Sequence, residues 1–105
     1  MDLQELTKKM DALVETKGWY APASPKPQTI RSLAICLAIE SAEVLEQVQW
    51  RETPARKEDL ADELADVALY LLQLAHIAEI DLEAAILTKL NRNYQRQWDE
   101  DNDPS

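Results

Sequence analysis

Apolar residues recur at helical spacing from the start of the chain: Leu3, Leu6, Met10, Leu13 and Val14, with polar residues between them and Gly18 after them. That pattern predicts a first helix over residues 3–17. The stretch GWYAPASPKP, residues 18–27, carries the chain's one glycine and three of its five prolines and reads as the longest loop. A second helix is expected from about Thr29 to Gln49. A third is expected from Thr53-Pro54, as N-cap and first helical residue, to about Ala78. Asp81 is a suitable N-cap for a fourth helix over 82 to about 97, with Glu83 in its first turn. The WRET turn between the second and third helices is short, so these two should pack antiparallel.

On a helical wheel the second helix shows one broad stripe of Ile30, Leu33, Ala34, Leu37, Val44, Leu45 and Val48. Glu40 and Glu43 fall at its margin, three residues apart and so adjacent on the helix surface. Ile35 and Ile39 form a second apolar strip that one small subunit cannot easily cover, which predicts an oligomer. The third helix repeats the design: Leu60, Leu64, Val67, Leu71, Leu74, Ala75 and Ala78 make the stripe, and Glu63, Asp66 and Tyr70 share its margin. Antiparallel packing through the stripes would bring the two acidic pairs face to face.

Composition supports a single all-α domain. The 105 residues are 46% hydrophobic, with one Gly, no Phe, and a vocabulary rich in Ala, Leu, Glu, Asp and Gln. The domain is expected over residues 1–98, followed by an acidic, disordered tail over 99–105. A net charge of -9 argues against a nucleic-acid partner. One cysteine, Cys36, permits no internal disulfide, and its simplest role is that of a small buried hydrophobe. No signal pattern and no membrane-length apolar run is present, so a cytoplasmic protein without a membrane partner is expected.

The charge pattern changes the picture most at the facing acids. Two unit charges roughly 4 Å apart repel by about 4 kcal/mol at an effective dielectric near 20, and four acids contain several such pairs. Either a cation binds or some of the acids stay protonated. Oxygen-only ligands select hard cations, and Mg²⁺ binds through a few carboxylates while recruiting substrate phosphates, so Mg²⁺-dependent phosphate chemistry is the natural expectation. A di-iron bundle needs Glu-x-x-His pairs, whereas the one histidine, His76, lies in neither acidic motif and reads as structural.

The order of KGW, the E40-x-x-E43 pair, VQW, DELADVALYLLQLA, IDLEAAIL and KLNRNYQR resembles the all-α nucleoside triphosphate pyrophosphohydrolases of the MazG type over about residues 17–97. The similarity is nearest to the short dCTP pyrophosphatase branch. It implies a four-helix bundle completed by oligomerisation, as a dimer or tetramer. It further implies Mg²⁺-dependent hydrolysis of a (deoxy)nucleoside triphosphate to monophosphate and pyrophosphate, a house-cleaning of the nucleotide pool. By position, Glu40, Glu43, Glu63 and Asp66 would hold the metal, and Glu43 or Glu63 would orient or deprotonate the attacking water. Lys89, Asn93 and Arg96, on one face of the fourth helix, match phosphate-binding positions. Trp19, Trp50 and Tyr70 match aromatics of the nucleobase pocket, to which a neighbouring subunit contributes. Before the second helix the relatives carry a His and a Pro-Arg-Asn run. This chain reads QTIRS, which puts Gln28, Arg31 and Ser32 at those places, Arg31 on the substrate side, and leaves base selectivity open. Gln97 and Trp98 also depart from the pattern after Arg96. Within the superfamily the runner-up is a phosphoribosyl-ATP pyrophosphohydrolase, disfavoured by the aromatic positions. A non-catalytic helical oligomerisation or regulatory protein is the reading from another class, disfavoured because all four acids are present.

Overall fold

Residues 1–96 are described by a computed structural model. The expected domain end at Trp98, the contact at Gln97 and Trp98, and the tail over 99–105 lie outside the described residues. The described chain is all-α: α1 (Leu3–Thr16), α2 (Ile30–Glu46), α3 (Lys57–Ile77) and α4 (Leu82–Tyr94). Among the described residues no helix is long and apolar enough to cross a membrane.

Local chemistry sets most of the helix ends. Asp2, Thr29 and Asp81 cap α1, α2 and α4 through their side-chain oxygens, and Thr29 with Ser32 forms a reciprocal capping box. Beyond α1, the Gly18 N–H donates to the Glu15 carbonyl and the Trp19 N–H to that of Val14. This Schellman turn needs the left-handed backbone that Gly18 adopts at φ 71°. Trp19 is thereby fixed three residues past Thr16, the last residue of the helix. At the end of α3 the same turn is made with Glu79 at φ 58°, a conformation that costs a non-glycine residue about 1 kcal/mol.

The third helix begins later than the Thr53-Pro54 signal predicts. Its N-cap is Arg56, without a side-chain cap bond, and residues 51–53 form a bend. A start at Pro54 would place Arg56 and Lys57 in the first turn, against the helix dipole. A start at Lys57 puts Glu58 and Asp59 there instead, with the favourable sign.

The principal seam is antiparallel α2 against α3, with α1 packed across the C-terminal half of α3. The small core joins Met10, Val14 and Leu72, with Leu3, Trp19, Tyr20 and Leu82 packed against it, while Leu33 of α2 is 1% exposed. The fourth helix touches mainly α1 and buries none of its residues. Leu87, Leu90 and Tyr94 on α4, and Ile35 and Ile39 on α2, stand in solvent. The radius of gyration, 16.5 Å, exceeds the roughly 13 Å of a compact chain of this length.

Candidate active site

The acids do not lie at the stripe margin. Along α2 the residues turned inward are Leu33, Cys36, Leu37, Glu40, Glu43 and Val44, followed by the C-cap Gln47, so both glutamates lie within the face that packs on α3. Opposite them, Glu63 shares the inward face of α3 with Leu60, Val67 and Tyr70. Asp66 alone is exposed at the edge. The margin expected from the sequence is corrected for three of the four acids.

One carboxylate oxygen from each of Glu40, Glu43 and Glu63 lies within 4.8 Å of the others, and all three residues are half-buried. Oε2 of Glu40 and Oε2 of Glu63 are shielded from solvent and receive no hydrogen bond from the protein. The Glu43 carboxylate beside Glu63, with burial second, raises the Glu63 carboxyl from 4.5 to about 7. Burial, then Glu43, raises that of Glu40. The charge of Asp66 adds to both, although its carboxylate stands outside the tight group. Convergent oxygens without donors form an anionic cage that lacks positive charge, and an oxygen-binding divalent cation of the Mg²⁺ type fits it by donor chemistry.

Further along the same seam, α1, the loop after it, α2 and α3 enclose a cavity of about 470 Å³. Trp19 and Tyr70 give it aromatic walls, Leu33 and Leu69 an apolar floor, and Asp66 borders it on the side of the acids. The Lys26 ammonium sits 4.8 Å above the Trp19 ring. Burial, then the Cys36 thiol alongside, raises the Tyr70 phenol above its ordinary range. The space suffices for a nucleoside, with rings available for stacking.

Not every expected site residue lies here. Trp50 is 89% exposed on the turn after α2, beyond the acids and away from the cavity. Arg31 is exposed near the start of α2. On α4, Lys89 is exposed and Asn93 half-buried, and Arg96, just past the helix end, is half-buried. The polar side of the cavity is formed by Gln28 and Ser32, which the sequence places where base selectivity is decided, and by Gln73, which sequence reasoning missed; that reasoning also gave Cys36 no part in the cavity. One signal was present: a lone amide in LLQLA is as anomalous as a glutamate in an apolar stripe.

Comparisons with known proteins agree with this geometry. Residues 28–98 match the MazG nucleotide pyrophosphohydrolase domain. The dCTP pyrophosphatase 1 proteins of Rattus norvegicus and Homo sapiens are each 33% identical over 75 residues, which is 63% of this chain and 44% of the relative. The match thus spans less than half the length of these curated relatives. A crystal structure of a pyrophosphatase from Archaeoglobus fulgidus superposes with a TM-score of 0.78 at 31% identity, covering 90% of this chain and 91% of that one. Seventy-one matched residues, a helical fold shared over nine-tenths of the chain and the paired acidic motifs lead to one conclusion: the chain belongs to the MazG nucleotide pyrophosphohydrolase family.

Proposed function

We propose that this protein hydrolyses a (deoxy)nucleoside triphosphate, dCTP-like in its base, to the monophosphate and pyrophosphate, with Mg²⁺ held by Glu40, Glu43, Glu63 and Asp66. The observation that carries this reading is the cage of three convergent carboxylates opening beside an aromatic cavity of nucleoside size. The names of the mammalian relatives favour a cytosine base. In this reading residues 1–98 form one catalytic domain, residues 99–105 a tail, and the enzyme clears surplus nucleotides in the cytoplasm.

When bound, the ion supplies the positive charge that offsets the carboxylates and the triphosphate and polarises the phosphoryl oxygens. The protein's own groups do the rest. Trp19 and Tyr70 hold the base, so the phosphate chain extends past Asp66 toward the cage. Glu43 and Glu63, whose carboxylates converge within 4.8 Å, orient a water in line with the α-phosphorus, and one of them takes its proton. The water oxygen bonds to the α-phosphorus, the bond from that phosphorus to the bridging oxygen breaks, and pyrophosphate leaves. Lys89, Asn93 and Arg96 offer cationic and amide donors to the phosphates. The exposed Trp50 and the apolar strips of α2 and α4 support assembly into a dimer or tetramer in which a neighbouring copy brings Trp50 to the substrate.

The test is pyrophosphate release from a panel of nucleoside triphosphates by chelator-treated protein, before and after Mg²⁺ is restored. Release should require Mg²⁺ and fall about a thousandfold or more in Glu63→Gln. No release by the wild type, or equal release by the variant, contradicts the assignment.

A further inference from the structure

The hydrolysis just described uses the Trp19 ring and leaves the lysine that covers it without a part. The Lys26 ammonium stands over the face of that ring, 4.8 Å from its centroid, and both residues line the cavity. Among the described residues that line it, Lys26 is the one cation and Asp66 the one anion. The chain carries 20 acids, yet no carboxylate among the described residues lies within ion-pair distance of this ammonium. Its partner is the ring. Trp19 also packs against the core of Met10, Val14 and Leu72, which leaves less of the indole open to a ligand.

The backbone beneath Lys26 is held from both sides. Its N–H donates to the Ser24 hydroxyl oxygen at 3.0 Å, and its carbonyl accepts from Nε2 of Gln28 at 2.6 Å. Oε1 of Gln28 in turn accepts from Nε2 of Gln73, a buried residue of α3. The Ser32 hydroxyl donates to the Pro27 carbonyl at 2.5 Å and so ties the next residue to the first turn of α2. Pro25 and Pro27 flank the lysine and restrict the chain to extended forms. At the other end of the loop, the turn at Gly18 fixes Trp19. Ring and loop are therefore set, and the part left to move is the flexible lysine stem.

We propose that Lys26 is a built-in cap on the stacking face of Trp19, which a base must displace to bind, so that Lys26 sets how well a group has to stack before the cavity admits it. The inference rests on reading the cavity as the nucleoside site. An ammonium over an indole and a base stacked on it use the same π-face, and the face holds one of them at a time. A base covers the ring with its own flat surface. A sugar or a phosphate has no such surface and leaves the ammonium in place. The free protein is therefore mostly capped, and the apparent affinity for any base is lowered by the fraction of molecules that stand uncapped. Exchange requires only that the lysine side chain swing into solvent.

The experiment follows the CεH₂ resonance of Lys26 by NMR in the full-length chain without metal, as the uncharged nucleoside deoxycytidine is added. In the free protein the resonance should lie upfield of a solvated lysine, displaced by the ring current of Trp19, and deoxycytidine should return it to the solvated position. Deoxyribose phosphate, which has no base, should leave it where it is. Affinity is read in the same titration from the Trp19 indole N–H. Lys26→Met keeps the stem without the charge and should bind deoxycytidine about two- to tenfold tighter than the wild type, whereas Lys26→Arg, whose planar guanidinium stacks on the ring, should bind it more weakly. Loss of a cation does not tighten a neutral ligand through long-range attraction, and loss of a structural support would weaken both variants. An unshifted resonance in the free protein, a resonance moved equally by the sugar phosphate, or no tighter binding by Lys26→Met overturns the proposal. Deoxycytidine that binds while the ammonium stays on the ring overturns the cap and leaves the nucleoside site standing, and binding to none of the three proteins overturns both.

Discussion

The two halves of the α2–α3 seam are built from the same helices and reach opposite electrostatic states. Toward the N-terminal end of α2, Leu33 is sealed and the buried amide of Gln73 is hydrogen-bonded to Gln28. Toward the other end, three carboxylates occupy core-facing positions and two of their oxygens receive no donor from the protein. One half is closed by apolar packing and, among the described residues, carries no cluster of like charges. The other stores repulsion that a cation relieves, so stability has been given up locally where charge is to be bound. The contrast separates what holds the site from what the site does.

The largest expected effect is one variant with opposite signs in two assays. Glu63→Gln loses about a thousandfold in turnover, yet in chelator it melts higher than the wild type, because one of three crowded charges is gone. Lower melting of the metal-free variant would mean that the carboxylates are not in conflict. In the closed half, Leu33→Ala should cost roughly 2–4 kcal/mol by denaturant titration, the usual result of emptying a sealed leucine site. The stabilisation that Mg²⁺ adds should be the same in this variant as in the wild type, and a lost response would merge the two halves into one unit.

A pH series sharpens the contrast further. The Glu63 carboxyl is raised from 4.5 to about 7, so between those values the folded protein keeps a proton that the unfolded chain releases. Its contribution to metal-free stability is therefore best below about pH 4.5, falls as pH rises toward 7, and levels off above. The difference in melting temperature between wild type and Glu63→Gln, which cancels the other groups, should grow more negative across that window. A flat difference would contradict it. The smallest effect is expected at Trp50→Ala: with its ring in solvent, folding stability should change by less than about 0.5 kcal/mol.

The sequence disclosed the elements better than the faces. Four helices, the α2 start at Thr29 and the Asp81 cap follow from periodicity and cap chemistry, which are local. The α3 start at Lys57 was set by charge near the helix dipole, against a strong Thr-Pro signal. The acids were found but misplaced. Ile30 and Leu45 are as apolar as any core residue and stand exposed, so counting them in the stripe moves its apparent centre away from Glu40 and Glu43. Hydrophobicity marks which positions seek cover, not which neighbour covers them. Gln73 was missed because a single amide carries no periodicity. Its meaning depends on Gln28, which reaches it only through the fold. Lys89 and Asn93 lie on α4 and Arg96 two residues past its end, so the expected run of three on one helix is cut short, and α4 packs chiefly on α1.

The central claim is that the acidic half of the seam is a divalent-cation site. Its most direct test is the melting temperature of chelator-treated protein at neutral pH as Mg²⁺ is titrated, wild type beside Glu63→Gln. At a hundredfold excess over the dissociation constant, binding contributes about 2.7 kcal/mol, or about 10 °C for a chain of this size. The wild type should rise by that order and the variant should stay nearly flat. Equal curves for the two proteins, or no rise in either, would contradict the claim.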